Sequence, residues 1–214
     1  MSVVLINGST HNKGCTFRGL TEIAKTLNEK GIKTEIFQLG SKPIAGCCGC
    51  NQCAKTGFCQ KYKNDKVNEF IELLYKENFD GFIFGSPVHY ASPSGFITSF
   101  MDRLFYSQLA ANKPHLNGKF AAATVNCRRG GATATFEQIN KYFMMTNMPV
   151  VSSQYWNQTH GSTPKDVEQD KEGLQTMRTL GRNMAWLIKC IKLGKENGIE
   201  YREEEPIIRT NFIH

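Results

Sequence analysis

The sequence predicts an α/β protein with a five-stranded parallel sheet and helices on both faces. Short apolar segments alternate along the chain with longer segments whose apolar residues recur at helical spacing. The resulting order, βαβαβαβαβα, is typical of parallel strands covered by helices. With 214 residues the chain has the length of one domain. We expect residues 1–214 to form that domain, with residues 195–214 as a C-terminal tail.

The N-terminal part of the chain supplies two strands, a helix and a long loop. Residues 2–7 are an apolar run and predict a buried strand. Residues 16–30 carry apolar side chains at helical spacing, and Gly31 ends this helix. Residues 33–39 alternate between polar and apolar side chains and predict the second strand. Residues 41–62 contain Pro, Gly and Cys without periodicity, and a loop of this length in a compact domain is usually functional.

The middle of the chain continues the alternation. Residues 65–75 place apolar side chains on one helix face, and residues 80–86 are an apolar run that predicts the third strand. Residues 95–107 predict a helix, residues 119–126 the fourth strand and residues 133–145 another helix. A helix between successive strands is the connection that parallel pairing requires.

The C-terminal part completes the predicted sheet. Residues 149–153 predict the fifth strand, and residues 164–193 a long helix that begins after Thr163 at Pro164. Five strands fit a flavodoxin-like sheet better than a six-stranded dinucleotide-binding fold. Ligands of such sheets bind beyond the carboxyl ends of the strands, so the loops after strands one, three and four are expected to carry the chemistry.

The composition and charge limit the kinds of molecule that the protein is expected to bind. The formal net charge of +7 fits either a solvated basic surface or a field that attracts anionic small molecules such as nucleotides. No recognisable nucleic-acid-binding module occurs, and no run of about 18 apolar residues could cross a membrane. The N-terminal residues lack a basic segment followed by a long apolar one, so we expect a cytoplasmic protein.

The loop after the first strand, residues 8–16, has the chemistry of a phosphate site. It is rich in hydroxyl groups and ends at a helix N-terminus, where backbone N–H groups and the helix dipole attract a phosphate. Ser9 and Thr16 can add O–H donors, and a terminal monophosphate suits such a loop. The loop is neither a Walker A sequence nor Gly-x-Gly-x-x-Gly. The alternative is an ordinary turn with Thr16 as the helix N-cap.

This loop resembles the Gly-Ser-Pro-Arg-x-x-Gly/Ser-x-Thr loop that holds the FMN phosphate in NAD(P)H-dependent FMN reductases and iron–sulfur flavoproteins. The resemblance implies FMN contacts from Ser9, His11, Gly14, Cys15 and Thr16. Two positions depart from the family pattern, because Thr10 replaces proline and His11 replaces arginine. Since histidine is not always charged near pH 7, phosphate affinity is expected to be weaker or pH-dependent.

The loop after the third strand suits a flat ring. Backbone N–H groups in residues 85–95 can bond the N5 and carbonyl edge of an isoalloxazine, with His89 or Tyr90 against the ring. The alternative is a Pro-Gly loop with an aromatic lid. Residues 85–103 also resemble a family segment, with matches at Pro87, Val88, Tyr90, Ser94, Gly95, Phe100, Asp102 and Arg103. The resemblance implies flavin contacts from Pro87–Tyr90, whereas Asp102 and Arg103 are expected to form a structural pair or a subunit contact.

The loop after the fourth strand, residues 126–131, brings arginines and glycines to the same edge. Glycines permit close backbone approach to a ring, and an arginine near the flavin N1–C2 edge would stabilise negative charge there. The alternative is a basic surface turn. Residues 128–161 resemble a subgroup of the FMN reductase family in which an Asn/His segment lies near the flavin. The predicted contacts of this region are Cys127, Arg128, Arg129, Gly130, Gly131, Asn157 and His160.

A cluster of cysteines occupies the long loop after the second strand. Of the eight cysteines in the chain, five lie within residues 47–59, which in a cytoplasmic protein suggests metal or redox chemistry more than disulfides. Their spacing resembles the compact motif of iron–sulfur flavoproteins, which implies a [4Fe–4S] cluster on Cys47, Cys50, Cys53 and Cys59. Zinc and unligated thiols are the alternatives. The four cysteines are expected near the flavin, because their loop leaves the same edge of the sheet.

The combined pattern predicts an FMN-binding domain that accepts hydride from NADH or NADPH and passes electrons to a small-molecule or ferredoxin-type partner. The flavin does the chemistry, so no catalytic protein residue is predicted. The alternatives are an iron–sulfur flavoprotein electron carrier, a quinone or azo reductase, and a flavin-binding module without enzymatic activity. A homo-oligomer, either dimer or tetramer, is expected because Phe100, Phe105 and Tyr106 lie on a helix that needs cover.

Overall fold

The computed structural model describes residues 1–199 and residues 205, 206, 208, 210 and 212. Its strands are β1 (Ser2–Asn7), β2 (Lys33–Gln38), β3 (Gly81–His89), β4 (Ser92–Pro93), β5 (Phe120–Cys127) and β6 (Gln158–His160). Its helices are α1 (Cys15–Glu29), α2 (Lys66–Lys76), α3 (Gly95–Ala110), α4 (Ala132–Met145), α5 (Pro164–Gln169) and α6 (Lys171–Glu196), with a 3₁₀ turn at Gln52–Lys55. None of the described helices has both the length and the apolar character needed to cross a membrane.

The strands form one sheet in the order β2-β1-β3-β5-β6, and every neighbouring pair in this order is parallel. β2 lies on one side of β1, and the following strands β3, β5 and β6 are added on the other side. This is the strand order of a doubly wound α/β sheet, so the predicted fold class is confirmed. The first four predicted strands coincide with β1, β2, β3 and β5.

The third strand is longer than its sequence predicts, because part of the expected ring loop is itself extended. β3 runs to His89, and its end pairs antiparallel with β4, with Val88 opposite Pro93. The two prolines in this segment indicated a loop. Both are tolerated because Pro87 lies near the end of its strand and Pro93 lies in a two-residue edge strand.

The fifth strand was predicted at the wrong place. Residues 149–153 make only a single bridge between Val150 and Ala121, and the ladder beside β5 is completed by β6. Between the two pieces, the side-chain amide of Asn157 donates to the Ala123 carbonyl oxygen at 3.0 Å, and Val125 N–H donates to the Asn157 carbonyl at 2.9 Å. The segment between residues 151 and 157 therefore departs from the sheet, and Asn157 and β6 supply the hydrogen bonds along this part of β5.

The predicted long C-terminal helix is divided into α5 and α6 at Asp170. Thr163 caps α5 through a reciprocal capping box with Asp166, which confirms the predicted start of this helical region. Asp170 then caps α6 by accepting from Gly173 N–H at 2.9 Å, and it also accepts from His160 N–H at 2.6 Å. The predicted tail, residues 195–214, falls partly outside the described residues, and its first two residues belong to α6.

The core lies in two layers, one on each face of the sheet. Val4 and Ile6 of β1 contact the layer under α2, α3 and α4, whereas Val3 and Leu5 contact the layer under α1 and α6. This alternation follows from the two-residue period of a strand. Phe100 and Phe105 of α3 are 0% and 6% exposed, so they are buried within their own chain and do not need the subunit cover that the sequence suggested.

Candidate functional site

Two glycines let the first and third strands approach each other where both end. Gly8 N–H donates to the Gly85 carbonyl oxygen at 2.8 Å. A Cβ atom added to Gly8 would lie 2.7 Å from that oxygen and 2.6 Å from an Ile97 side-chain atom, so no other residue fits without movement. The same turn is fixed from α3, because the Ser94 hydroxyl donates to the Gly8 carbonyl oxygen at 2.9 Å.

The loop that follows is held from both sides by strand side chains. The Asn7 carboxamide oxygen accepts from Ser9 N–H at 3.1 Å, and the Gln38 amide donates to the Ser9 carbonyl at 2.7 Å. The Asn7 amide in turn donates to the Gln38 side-chain oxygen. These bonds place Ser9 before the start of α1, where it is 5% exposed.

The first turn of α1 has the features of an anion site. Its N-cap is Gly14, and no side chain caps the helix, so the predicted alternative with Thr16 as N-cap is wrong. Thr16 lies instead in the first turn and is 4% exposed. The N-terminal N–H groups of a helix are electropositive and need an acceptor. The absence of a capping side chain leaves these N–H groups available to a ligand.

The β3–β4 hairpin forms the second side of the site. Ser94 caps α3 by accepting from Ile97 N–H at 3.4 Å, and the Ser86 hydroxyl accepts from Ser94 N–H at 3.2 Å. Tyr90 stands at the tip of the hairpin, fully exposed and with a φ of 57°, a left-handed conformation that is uncommon for residues other than glycine. The hairpin therefore projects beyond the sheet edge.

The turn between β5 and α4 forms the third side. Gly131 is the N-cap of α4 and has a φ of 87°, and a Cβ atom there would lie 2.9 Å from a methyl carbon of Val88. A glycine is thus required both by the backbone conformation and by the close approach of the hairpin. Arg128 and Arg129, which precede it, are exposed.

The three loops enclose a cavity of about 590 Å³, which we call the sheet-edge cavity. Ten of the predicted flavin contacts line it: Ser9, His11, Gly14, Cys15, Thr16, Pro87, Val88, His89, Cys127 and Arg128. Its volume falls within the range of small-molecule sites.

Four predicted contacts lie near this cavity without lining it. Tyr90 extends into solvent from the hairpin tip, and Arg129 and Gly130 are exposed on the turn before α4. Gly131 lies under the hairpin against Val88. The backbone directs these four residues away from the lining, and their contact with a flavin stays a prediction.

Asn157 and His160 do not line the sheet-edge cavity. Asn157 is 1% exposed and belongs to the sheet, where its amide bonds Ala123. The His160 side chain lies beside Asp170, with 3.6 Å between Nδ1 and the carboxylate, in a different cavity of about 180 Å³. The contacts of these two side chains with Ala123 and Asp170 hold them outside the lining, and their predicted contact with the flavin stays a prediction.

Sequence reasoning missed several lining residues: Asn12, Lys13, Asn126, Gly161, Ser162, Thr163 and Pro164. Residues 161–164 follow β6, so they reach the site for the same reason as the other loops, namely that parallel strands end at one edge. The signal was present, but the fifth strand was expected at residues 149–153, and the loop after it was therefore placed too early.

Two cysteines of the sheet-edge cavity are poor nucleophiles. Burial raises the pKa of the Cys15 thiol, and the Asp166 carboxylate raises it further. Burial also raises the pKa of Cys127, with a smaller contribution from Asp170. Both thiols are therefore protonated near neutral pH, when a cysteine reacts only slowly.

The clustered cysteines line a second, narrow cavity of about 20 Å³, which we call the cysteine cavity. Its lining includes Cys47, Cys48, Cys50, Cys53 and Cys59. Arg103, Tyr106 and Ser107 of α3 form the opposite side. All of these cysteines are free of disulfide bonds. Cys47, Cys48 and Cys50 are exposed, so their thiols can rotate without displacing packed neighbours.

The thiols of this cavity lie close enough to affect one another's protonation. Burial raises the pKa of Cys53, and the neighbouring Cys47, Cys59 and Cys50 raise it further. The backbone N–H of Gln52 lowers the pKa of Cys50, with smaller contributions from Cys48 and Lys61. A bound metal would have to displace the proton of Cys53, whereas the Gln52 N–H and Lys61 already favour the thiolate of Cys50.

The described residues contain no group of three or more His, Cys, Asp or Glu side chains that converge on one point as ligands of a single ion would. In a [4Fe–4S] cluster each thiolate binds a different iron atom, so the ligands surround the cluster instead of meeting at one point. The cysteines line one cavity, but its volume of about 20 Å³ is close to that of a single water molecule. A cluster would therefore fit only if the exposed segment Cys47–Cys50 moved outwards.

The cysteine cavity and the sheet-edge cavity share no lining residue. The cysteine loop packs against the middle of α3, where Arg103 lies eight residues after Gly95, about 12 Å along the helix axis. The cysteines therefore do not line the sheet-edge cavity, and their expected position near the flavin stays a prediction.

A larger cleft of about 720 Å³ lies between the loop after β2 and the N-terminal half of α2. Its only contact with the phosphate loop is Asn12. Its charged residues are Lys42, Lys63, Lys66, Asp65, Glu69 and Glu72, so positive and negative charges balance. The helix that lines this cleft, α2, is capped by the Asp65 side chain, so the cleft lacks an uncapped helix N-terminus like that of α1.

Known proteins resemble this chain over most of its length. Residues 1–163 match the family described as NADPH-dependent FMN reductase. An iron–sulfur flavoprotein of Methanocaldococcus jannaschii is 32% identical over 197 residues, which cover 90% of this chain and all of that protein. A second iron–sulfur flavoprotein of the same organism is 30% identical over 194 residues, which cover 85% of this chain and 94% of that protein.

Solved structures of much lower identity share the fold. A flavodoxin-like WrbA-type protein of Agrobacterium tumefaciens has a TM-score of 0.57 at 17% identity, covering 88% of this chain and 96% of its own. An archaeal flavodoxin has a TM-score of 0.54 at 17% identity, covering 88% of this chain and 99% of its own. The fold is therefore flavodoxin-like.

Proposed function

Because the chain belongs to the NADPH-dependent FMN reductase family, we propose that its sheet-edge cavity is the FMN site. The protein is a flavin-binding oxidoreductase of that family, and FMN is its cofactor. The observation that carries the assignment of the site is the uncapped N-terminus of α1, with the buried hydroxyls of Ser9 and Thr16 beside it. A phosphate satisfies such a helix end without a metal ion.

The residues of the cavity suit the different parts of FMN. The phosphate would be held by Ser9, Thr16 and the first turn of α1, where the dipole favours negative charge. The ring would lie between Pro87–His89 and Asn126–Arg128, at the ends of β3 and β5. Arg128 would bring a positive charge to that edge. We also propose that this domain comprises residues 1–214.

The bound flavin supplies the hydride and electron chemistry. The chain binds and orients the cofactor, and it holds Cys15 and Cys127 protonated so that neither thiol competes as a nucleophile. This division of labour explains why none of the lining residues needs to act as an acid or a base.

The identity of the cofactor can be tested directly. The protein is purified and heated, and the released cofactor is identified by chromatography. FMN in stoichiometric amount is expected, because the family is described as an FMN reductase and the first turn of α1 offers a position for a terminal phosphate. Stoichiometric FAD would contradict the proposal.

We propose NADPH as the electron donor, with a small molecule or a ferredoxin-type protein as the acceptor. The family is described by its use of NADPH, and the net charge of +7 attracts anionic nucleotides. Steady-state oxidation of NADPH and NADH, with a quinone or a ferredoxin as acceptor, tests both parts. A higher kcat/KM for NADPH is expected, and equal or reversed values would contradict the choice of donor.

We further propose that Cys47, Cys50, Cys53 and Cys59 hold a [4Fe–4S] cluster in the cysteine cavity. Three observations support this proposal: the thiols surround one cavity, cations and backbone N–H groups adjoin them, and two relatives of at least 30% identity are iron–sulfur flavoproteins. Soft thiolates also favour iron–sulfur clusters over hard cations. The cluster would allow one-electron transfer to a partner.

The loop provides a matched pair of variants for this proposal. Cys50→Ser removes a proposed ligand, whereas Cys48→Ser removes a neighbouring exposed thiol outside the proposed set. After anaerobic reconstitution, the original protein and Cys48→Ser are expected to hold about four irons and four sulfides per chain. Cys50→Ser is expected to lose iron and retain FMN. Equal iron content in both variants, or none in the original protein, would contradict the proposed ligand set.

We propose that the protein forms a homo-oligomer, a dimer or a tetramer, through the outer faces of α3 and α4. Four large apolar side chains are exposed there: Tyr106, Leu109, Met144 and Met145. Cys47, Tyr106 and Met145 also line one open groove between the two helices. Sedimentation at micromolar concentration is expected to exceed the monomer mass, and Met145→Glu to reduce it. A monomeric original protein would contradict this assignment.

A further inference from the structure

Arg103 holds the two ends of the segment that carries the clustered cysteines. Its side chain is 1% exposed and makes a two-pronged ion pair with Asp65. Its guanidinium also donates to the Ala45 carbonyl at 3.3 Å and to the Tyr62 carbonyl at 2.9 Å. Ala45 precedes Cys47 and Tyr62 follows Cys59, so a single buried side chain joins the beginning and the end of the loop.

The same guanidinium lines the cysteine cavity, and one of its N–H groups is unpaired. Arg103 Nε–H is buried and has no hydrogen-bond partner in the protein, although the other guanidinium nitrogens are bonded. The Cys59 sulfur lies beside this guanidinium, which keeps its positive charge throughout the accessible pH range. A buried donor without an acceptor is unusual in a well-packed structure and calls for a ligand.

We propose that Arg103 is a positioning residue that donates through Nε–H to the sulfur of Cys59 or of the bound cluster, and that its charge raises the cluster's reduction potential. This inference rests on the proposed [4Fe–4S] site. Hydrogen bonds to the sulfurs and nearby charge are the means by which a protein sets the potential of such a cluster. A positive charge stabilises the added electron, and burial limits the screening of that charge by water.

Variants of Arg103 and of its partner Asp65 should shift the cluster's reduction potential in opposite directions. A purely structural role of the ion pair would not predict opposite shifts. The ion pair is neutral as a whole, so removal of either partner leaves the opposite charge close to the cavity. Arg103→Gln removes the positive charge and the Nε–H donor. Asp65→Asn removes the negative charge, while asparagine still accepts from Val67 N–H as the N-cap of α2.

The test uses the anaerobically reconstituted full-length protein with FMN bound. Iron and sulfide are measured first, and the cluster potential is then obtained by redox titration followed by electron paramagnetic resonance. Arg103→Gln is expected to shift the potential downwards, Asp65→Asn upwards, and the double variant to lie between them. Arg178→Gln is the control, because this arginine pairs with Glu22 on the opposite layer and should leave the potential unchanged.

The directions of the two potential shifts support or overturn the proposed role of Arg103. Opposite shifts in the two single variants support it. An unchanged potential in both variants, or a shift in the same direction, would overturn it and leave the cluster assignment intact. Absence of iron from the original protein would overturn it together with the cluster assignment. If Arg103→Gln fails to fold, Asp65→Asn and the double variant still give the required comparison, and no upward shift in Asp65→Asn overturns the proposal.

Discussion

The sheet-edge cavity is built from backbone at the ends of three strands, whereas the cysteine cavity is built from the side chains of one irregular loop. In the first, glycines at positions 8 and 131 allow neighbouring loops to approach, and their geometry follows from the sheet. In the second, Arg103 and Asp65 join elements that no strand ladder connects. The first site therefore depends on shape, and the second on one buried ion pair.

The largest expected effect comes from breaking that ion pair. Arg103→Leu leaves the Asp65 carboxylate partly buried without its partner, and we expect the free energy of unfolding to fall by about 3–5 kcal/mol. Urea denaturation measures this loss. Arg178→Leu is the control, because its ion pair is half-exposed and is worth about 1 kcal/mol or less. Equal losses of unfolding free energy in Arg103→Leu and Arg178→Leu would show that the buried ion pair of the cysteine cavity has no special importance for stability.

Removing hydroxyls from the sheet-edge cavity is expected to weaken FMN without unfolding the protein. Ser9→Ala and Thr16→Val each delete a hydrogen bond to a charged phosphate, worth about 1.5–3 kcal/mol, or roughly tenfold or more in Kd. Flavin fluorescence measures the dissociation constant. Thr21→Val on the same helix is the control, because its hydroxyl bonds the Phe17 carbonyl away from the cavity. Unchanged Kd values would show that the two hydroxyls do not contact the phosphate.

A methyl group at Gly8 tests the importance of shape. Gly8→Ala forces the ends of β1 and β3 apart, at a cost of about 1–3 kcal/mol, and FMN affinity is expected to fall as the phosphate loop moves. Iron loading of the cysteine cavity should be unaffected. Gly95→Ala is the matched control, since a Cβ atom there meets nothing within 4 Å. Loss of iron in Gly8→Ala would show that the two sites are coupled.

The smallest expected effect concerns the ion pairs that join α1 to α6. Burial alone would raise the pKa of Glu22, but hydrogen bonds from Arg178 and Arg18 lower it overall. A lowered carboxyl pKa stabilises the fold above the ordinary pKa of glutamate, and this stabilisation is lost as pH falls through the lowered value. Glu22→Gln should therefore cost about 1 kcal/mol at pH 7 and nothing at low pH, with FMN affinity unchanged at pH 7. A pH-independent cost would contradict this origin.

The two cavities also differ in how much of their lining the sequence could predict. The loop after β1 could be predicted to line a cavity because its residues are consecutive and adjoin a helix start, so local chemistry is sufficient. The sequence could not show that His160 lies outside the lining of the sheet-edge cavity, because the direction of its side chain depends on the register of β6 against β5. That register is a long-range property, and a shift of one residue reverses the face on which every side chain lies.

The sequence by itself determined the alternation of strands and helices, the hydroxyl-rich phosphate loop and the grouping of the cysteines. These features arise from local periodicity and spacing, which act between residues close in the chain. The tertiary structure decided which residues pair across distance. It placed the fifth strand at β6, buried Phe100 and Phe105, and paired Arg103 with Asp65 instead of with its neighbour Asp102. Asp65 lies 38 residues before Arg103, and only packing of α2 against α3 brings their charges together.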